Sequence, residues 1–250
     1  MKLSKLLDIK VNSVISIVGA GGKSTLMYTL AQELRQDYKC LITTTTKIYL
    51  PYKEQFDYMA VGIEEFNRLK HNPNKGIYVY GSSINDENKL IGVNPAELEI
   101  DVPNFQYLLI EADGSKRKSI KGWNNTEPVV LNTTTNTIGV ISIEAIGNKI
   151  NEVNVFRVKE FLNITNAAEN DTITEANIVS LIFHKYGLFK NSTGEKILFI
   201  NKVENEEQWK TAEKLIDRIL RENMKHLIID KIIVGSLLEK KYKIFSNYIK

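Results

Sequence analysis

Residues 13–25 read SVISIVGAGGKST, and this stretch decides the fold. The first six are apolar almost throughout, as a strand covered on both faces should be. Gly19, Ala20, Gly21 and Gly22 then form a turn. The residues after it, from Lys23 to about Asp37, place Leu26, Leu30, Ala31 and Leu34 at helical spacing. Glycine lets the main chain bend sharply, so that consecutive N–H groups point at an anion, and a helix that opens there adds its unpaired amides and the positive end of its dipole. Lys23 follows at the distance from which an ammonium reaches β- and γ-phosphates. The Ser24 hydroxyl, with Thr25 beside it, is set to coordinate magnesium. Ile17 stands five positions before Gly22, where the longer form of this loop carries glycine, so the loop is a shortened G-x-G-G-K-S-T variant. A glycine-rich connection without a ligand would need neither the apolar strand before it nor the helix after it. The expectation is a nucleoside triphosphate, ATP or GTP, with Mg.

Outward from this point, aliphatic strands alternate with helical patterns, which is the signature of βαβ units and a parallel sheet. Strands are expected at residues 40–44, 107–112, 137–143 and 196–200. An amphipathic helix follows at 206–223, and residues 226–234 are expected to close the sheet. Two short apolar runs, IYVYG and KLIGV, flank a polar stretch and suggest a β-hairpin inserted at about 76–93. Thr172 and Glu175 have capping-box spacing ahead of Ile178 and Ile182. The expected fold class is α/β, a three-layer P-loop NTPase-like unit with a mostly parallel sheet, spanning residues 1–250 as one domain.

Composition narrows the function. The 250 residues are 43% hydrophobic and 25% charged, enough apolar material for a sizeable core. With 33 basic and 30 acidic side chains the net charge is +3, which argues against a nucleic-acid coat. A single cysteine, Cys40, excludes an internal disulfide, and three scattered histidines do not make a zinc site. No apolar run approaches a membrane span and no signal peptide is evident, so a cytoplasmic location with no membrane partner is expected.

Four further clusters qualify as parts of a site. Thr43 to Lys47 read TTTTK at a strand end that should face the glycine loop, with Thr45, Thr46 and Lys47 the better candidates, although threonine also simply favours strands. Glu111 and Asp113 follow a buried strand on the same side of the chain, where nucleotide hydrolases place the acid that orients magnesium or water. Both are catalytic candidates with Lys23, and Asp113 is a metal candidate with Ser24. The cationic run 115–121, SKRKSIK, includes Lys116 and offers a clamp for the anionic tail of a second substrate, or a solvated loop. Asn201, Lys202 and Glu204 (NKVE) stand after a late strand, as the base-reading turn does in guanine-nucleotide proteins.

The segments IVGAGGKSTLM, LITTTTKIYLP, LLIEADGSKRKSIKGW, VFRVKEF, ITEANIVSLIFHKYGL, FINKVE and IIVGS, in that order, resemble the YqeC family of accessory proteins for selenium-dependent molybdenum hydroxylases. The resemblance implies a P-loop protein that helps mature such a hydroxylase or its selenium cofactor. By motif, Gly19, Gly21, Gly22, Lys23 and Ser24 carry over as the phosphate loop. Thr45, Thr46, Lys47, Glu111, Asp113 and Lys116 carry over as companion positions, with Glu127 and Arg157 as further ones. Three readings stand at this point: a nucleoside triphosphatase, a Mur-type ligase or small-molecule kinase, and a non-catalytic nucleotide switch.

Overall fold

A computed structural model describes residues 2–246. In chain order its elements are α1 (Leu3–Leu7), β1 (Ser13–Gly19), α2 (Lys23–Leu34), β2 (Lys39–Thr44), β3 (Lys47–Tyr49), β4 (Tyr58–Val61) and α3 (Ile63–Leu69). Then come β5 (Gly76–Gly81), β6 (Ser83–Ile84), β7 (Lys89–Ile91), α4 (Pro95–Asp101), β8 (Tyr107–Glu111), β9 (Ile120–Lys121) and β10 (Asn136–Ser142). The last third holds β11 (Val155–Phe156), α5 (Val158–Thr165), α6 (Glu175–Phe183), β12 (Glu195–Asn201), α7 (Glu206–His226), β13 (Lys231–Ser236) and β14 (Lys241–Ser246).

Nine strands form one sheet in the order β14-β13-β12-β10-β1-β8-β2-β5-β4, parallel except for β14. Every residue of β1 is buried, because neighbours flank it on both edges and helices cover both faces. Its side chains alternate between the two cores, as the strand repeat of two requires. Ile15 and Ile17 pack with Leu26 and Leu30 of α2 and Leu3 and Leu7 of α1. On the opposite face, Val18 joins Phe161, Leu181 and Ile216 from α5, α6 and α7. Val14 joins Phe66 of α3 and Leu98 of α4. The result is an α/β/α arrangement with β1 at its centre. The chain runs to one side of β1 through β2 and β8, then crosses to the other side at β10. Ligand crevices in open α/β sheets lie at such a reversal, beyond the strands' carboxyl ends.

Three expectations are corrected. IYVYG is not one arm of a hairpin: β5 is a parallel strand of the main sheet, hydrogen-bonded to β2 and β4. The hairpin is β6–β7, extended by β3 into a separate three-stranded sheet. An apolar run bounded by turns reads the same for either role, because strand partners are chosen in three dimensions. The helix cap belongs to Thr174, whose hydroxyl accepts from the Asn177 amide, rather than to Thr172. The sheet ends on β14, paired antiparallel to β13, whereas His226 still belongs to α7. The long α7 itself follows its pattern, with Ala212, Leu215, Ile216 and Ile219 buried and an Asn205–Gln208 capping box at its start. Among the described residues no helix is long and apolar enough to cross a membrane.

Candidate functional site

The glycine loop leaves β1 at Gly19 and enters α2 at Lys23. Its backbone takes positive φ at Gly19 (99°) and Gly22 (138°), which side chains rarely tolerate. A Cβ at Gly19 would stand 2.2 Å from the Val140 carbonyl oxygen, and one at Gly22 would stand 2.3 Å from Asn201 Nδ2. The loop is tied down from behind. Ala20 N–H donates to the Val140 carbonyl at 3.0 Å, and Asn201 Nδ2 donates to the Gly21 carbonyl at 2.8 Å. In turn the Asn201 side-chain oxygen accepts from the Leu237 amide. No side chain caps the start of α2, so its first-turn amides have no partner of their own.

Charged groups converge just below the loop, all buried. Lys23 Nζ donates to the Gly19 carbonyl at 2.7 Å and lies 3.1 Å from Asp113 and 3.6 Å from Glu111. Ser24 Oγ donates to Glu111 Oε2 at 2.6 Å. Burial alone would depress the Lys23 ammonium, but Asp113 and then Glu111 outweigh it, and the pKa is held above the ordinary lysine value. Burial pushes the Glu111 carboxyl above the usual range, opposed only in part by Lys23 and Ser24. Burial works the same way on Asp113, yet Lys23, Lys121 and the Gly19 amide overcome it and hold that carboxyl below its usual value.

The two acids are thereby separated in role. Asp113 accepts from the Gly19 amide through both oxygens, from Lys121 Nζ at 3.0 Å and from Trp123 Nε1 at 2.7 Å. Lys121 continues to Glu127 at 3.1 Å, and Arg157 reaches the same Glu127 oxygen at 2.7 Å. This chain of alternating charge runs from the glycine loop to the start of α5. Asp113 is consumed in holding it together. Glu111 is the carboxylate that meets Ser24. Among the described residues no cluster of three or more acids, histidines or cysteines could hold a metal on its own.

Above the loop opens a cleft of about 870 Å³. Gly21, Gly22, Lys23, Ser24 and Thr25 line one wall, and Thr46, Lys47, Lys116, Arg117 and Lys118 line the other. Lys116 and Arg117 carry consecutive left-handed backbones (φ 46° and 61°), the kind of strain that collects at functional sites. Lys202 also lines the cleft, with its ammonium 2.6 Å from Glu144.

The structure therefore brings Lys23, Ser24, Glu111, Asp113, Thr46, Lys47, Lys116 and Lys202 to one place. Thr45 turns aside, its hydroxyl donating to the Val129 carbonyl. Asn201 holds the loop, and Glu204 accepts from the Ser236 hydroxyl, so both are committed within the protein. The bond from Trp123 to Asp113 leaves no mark in the sequence, where a lone tryptophan after a cationic run carries no motif. Lys121, a clamp candidate as part of the cationic run 115–121, is instead fully buried and paired with Asp113 and Glu127.

Residues 15–159 match the family described as YqeC protein. The chain is also 30% identical, over 197 residues, to the "Uncharacterized protein YqeC" of Escherichia coli (strain K12), covering 76% of each chain. The matched span includes the glycine loop, TTTTK, both carboxylates, Glu127 and Arg157. On this evidence the chain belongs to the YqeC family.

Proposed function

We propose that this protein is a P-loop nucleoside triphosphatase that binds ATP or GTP with magnesium in the cleft over Gly19–Thr25. One observation carries the reading: Lys23 and Ser24, adjacent at the opening of α2, both approach the buried carboxylate of Glu111 at the end of the neighbouring strand. An uncapped helix start, a lysine and a serine–carboxylate pair form a donor set that fits a triphosphate and its hard cation. Ser24 and Glu111 would hold the ion, with phosphate oxygens and water completing its shell. The ion supplies charge neutralisation at the phosphates.

The remaining work falls to the chain. Loop amides donate to the β-phosphate oxygens, and Lys23 turns from Gly19 and Asp113 to the β- and γ-oxygens. Glu111 orients the attacking water. The facing cations Lys47 and Lys116 offset charge on the γ-phosphoryl group as it transfers. Asp113 holds Gly19 in place throughout. The motif resemblance supplies the purpose: turnover would serve maturation of a selenium-dependent molybdenum hydroxylase or its cofactor.

The test is a magnesium-dependent titration with ATP and GTP, followed by product analysis. Lys23→Ala should abolish turnover while circular dichroism shows the fold retained. Turnover unchanged in that variant would refute the assignment.

A further inference from the structure

The nucleotide cleft does not end at Tyr49 and Arg117. Their side chains stack, with the guanidinium carbon 3.9 Å from the ring centroid, and behind them lies a second compartment of about 1030 Å³. The two spaces share Ser24, Thr25, Tyr49 and Arg117. The second space therefore meets the first where the metal and the γ-phosphoryl group would sit.

Its lining has a definite chemistry. Tyr49 and Tyr52 are 47% and 77% exposed, so two aromatic rings face solvent inside a concavity. Exposed rings in such a place are stacking platforms for a flat ligand. Asn88 adds an amide able to donate and accept along the edge of a heterocycle, and Gln55 adds its side-chain NH2, its oxygen already accepting from the Tyr52 amide. Tyr28 is 8% exposed, and its hydroxyl is buried without a hydrogen-bond partner, an expensive condition unless a ligand or its water relieves it. The lining acid Glu33 is no obstacle to an anion, since both its oxygens already accept from the Leu3 and Ser4 amides. Among the described residues no carboxylate pairs with Arg117, so one cation at the junction is free to meet a phosphate.

We propose that this second compartment binds a planar heteroaromatic molecule bearing a phosphate, with its ring against Tyr52 and its phosphate at Arg117. The proposal rests on the nucleotide reading and deepens it, because it places a second ligand beside the triphosphate on the Ser24 side.

The probes are AMP, GMP, CMP and UMP, titrated by calorimetry both into the free protein and into protein saturated with a non-hydrolysable triphosphate and magnesium. Inorganic phosphate is the control. At least one monophosphate should bind at least tenfold more tightly than inorganic phosphate in both settings. Tyr52→Ala and Tyr28→Phe should each weaken that binding by about tenfold or more, in line with the loss of a stacked ring or a buried hydrogen bond. Triphosphate affinity should change less than twofold. Two results overturn the proposal: monophosphates that bind no better than phosphate, or variants that weaken the triphosphate equally, which would put its own base here. Failure of the triphosphate to bind at all would sink the first assignment, while the titration into free protein would still decide this one.

Discussion

The indole N–H of Trp123 donates to Asp113 Oδ2 at 2.7 Å, inside the fully buried charge cluster that also holds Lys23 and Lys121. A tryptophan thus completes the coordination of the carboxylate that anchors Gly19. Trp123→Phe keeps most of the ring but leaves a buried oxygen one donor short, and should cost about 1–3 kcal/mol in urea unfolding. Asp113→Asn should cost more, about 3–5 kcal/mol, because two buried ammonium groups lose their shared counter-charge. Equal effects from the two variants would show that the cluster is not organised around Asp113.

Glu111 and Asp113 should separate cleanly in a magnesium titration. Glu111→Gln should raise the magnesium needed for half-maximal nucleotide binding by about tenfold or more, since one charged partner of the ion is lost. The unfolding midpoint should move far less than in Asp113→Asn. A magnesium requirement unchanged by Glu111→Gln would move the ion elsewhere.

Gly22→Ala combines a forbidden φ with a contact of 2.3 Å to Asn201 Nδ2. The strain should cost about 1–3 kcal/mol and impair nucleotide binding. Pairing it with Asn201→Gly should restore only part of either, because the clash is relieved while φ is not. Full recovery in the double variant would show that space alone, and not backbone conformation, requires glycine there.

Cys40 has no exposed surface, and burial pushes its thiol up to about 12. Only the thiolate reacts with disulfide reagents, so labelling at pH 8 should be negligible in the native protein. Reaction should appear when denaturant opens β2, and its rate should then follow the population of the open form. Rapid labelling of native protein would contradict the placement of β2 inside the sheet.

The hydrophobic pattern was most legible where one residue's surroundings come from both faces of the sheet at once. SVISIV, YLLIEA and KILFI read as strands because they are short runs apolar almost throughout, and α7 reads as a helix because its apolar residues recur on one stripe. Legibility failed at IYVYG, whose composition is the same in a hairpin and in a parallel strand. It failed again at the cap of α6, where Thr172 and Thr174 offer the same hydroxyl two residues apart.

By itself, the order of residues determined that a strand, a glycine bend and a lysine-led helix follow one another, since each depends on neighbours within a few positions. It also determined that Glu111 and Asp113 leave one strand on the same side. Only the tertiary structure decided what each acid does, because that depends on groups far along the chain. Ser24 arrives against Glu111 from 87 positions away, and the Gly19 amide meets Asp113 from 94, while Lys121 and Trp123 return to Asp113 through a loop of no recognisable pattern. A carboxylate's role is set by the charges and donors within a few ångströms of it, and those are known only once the chain has folded back on itself.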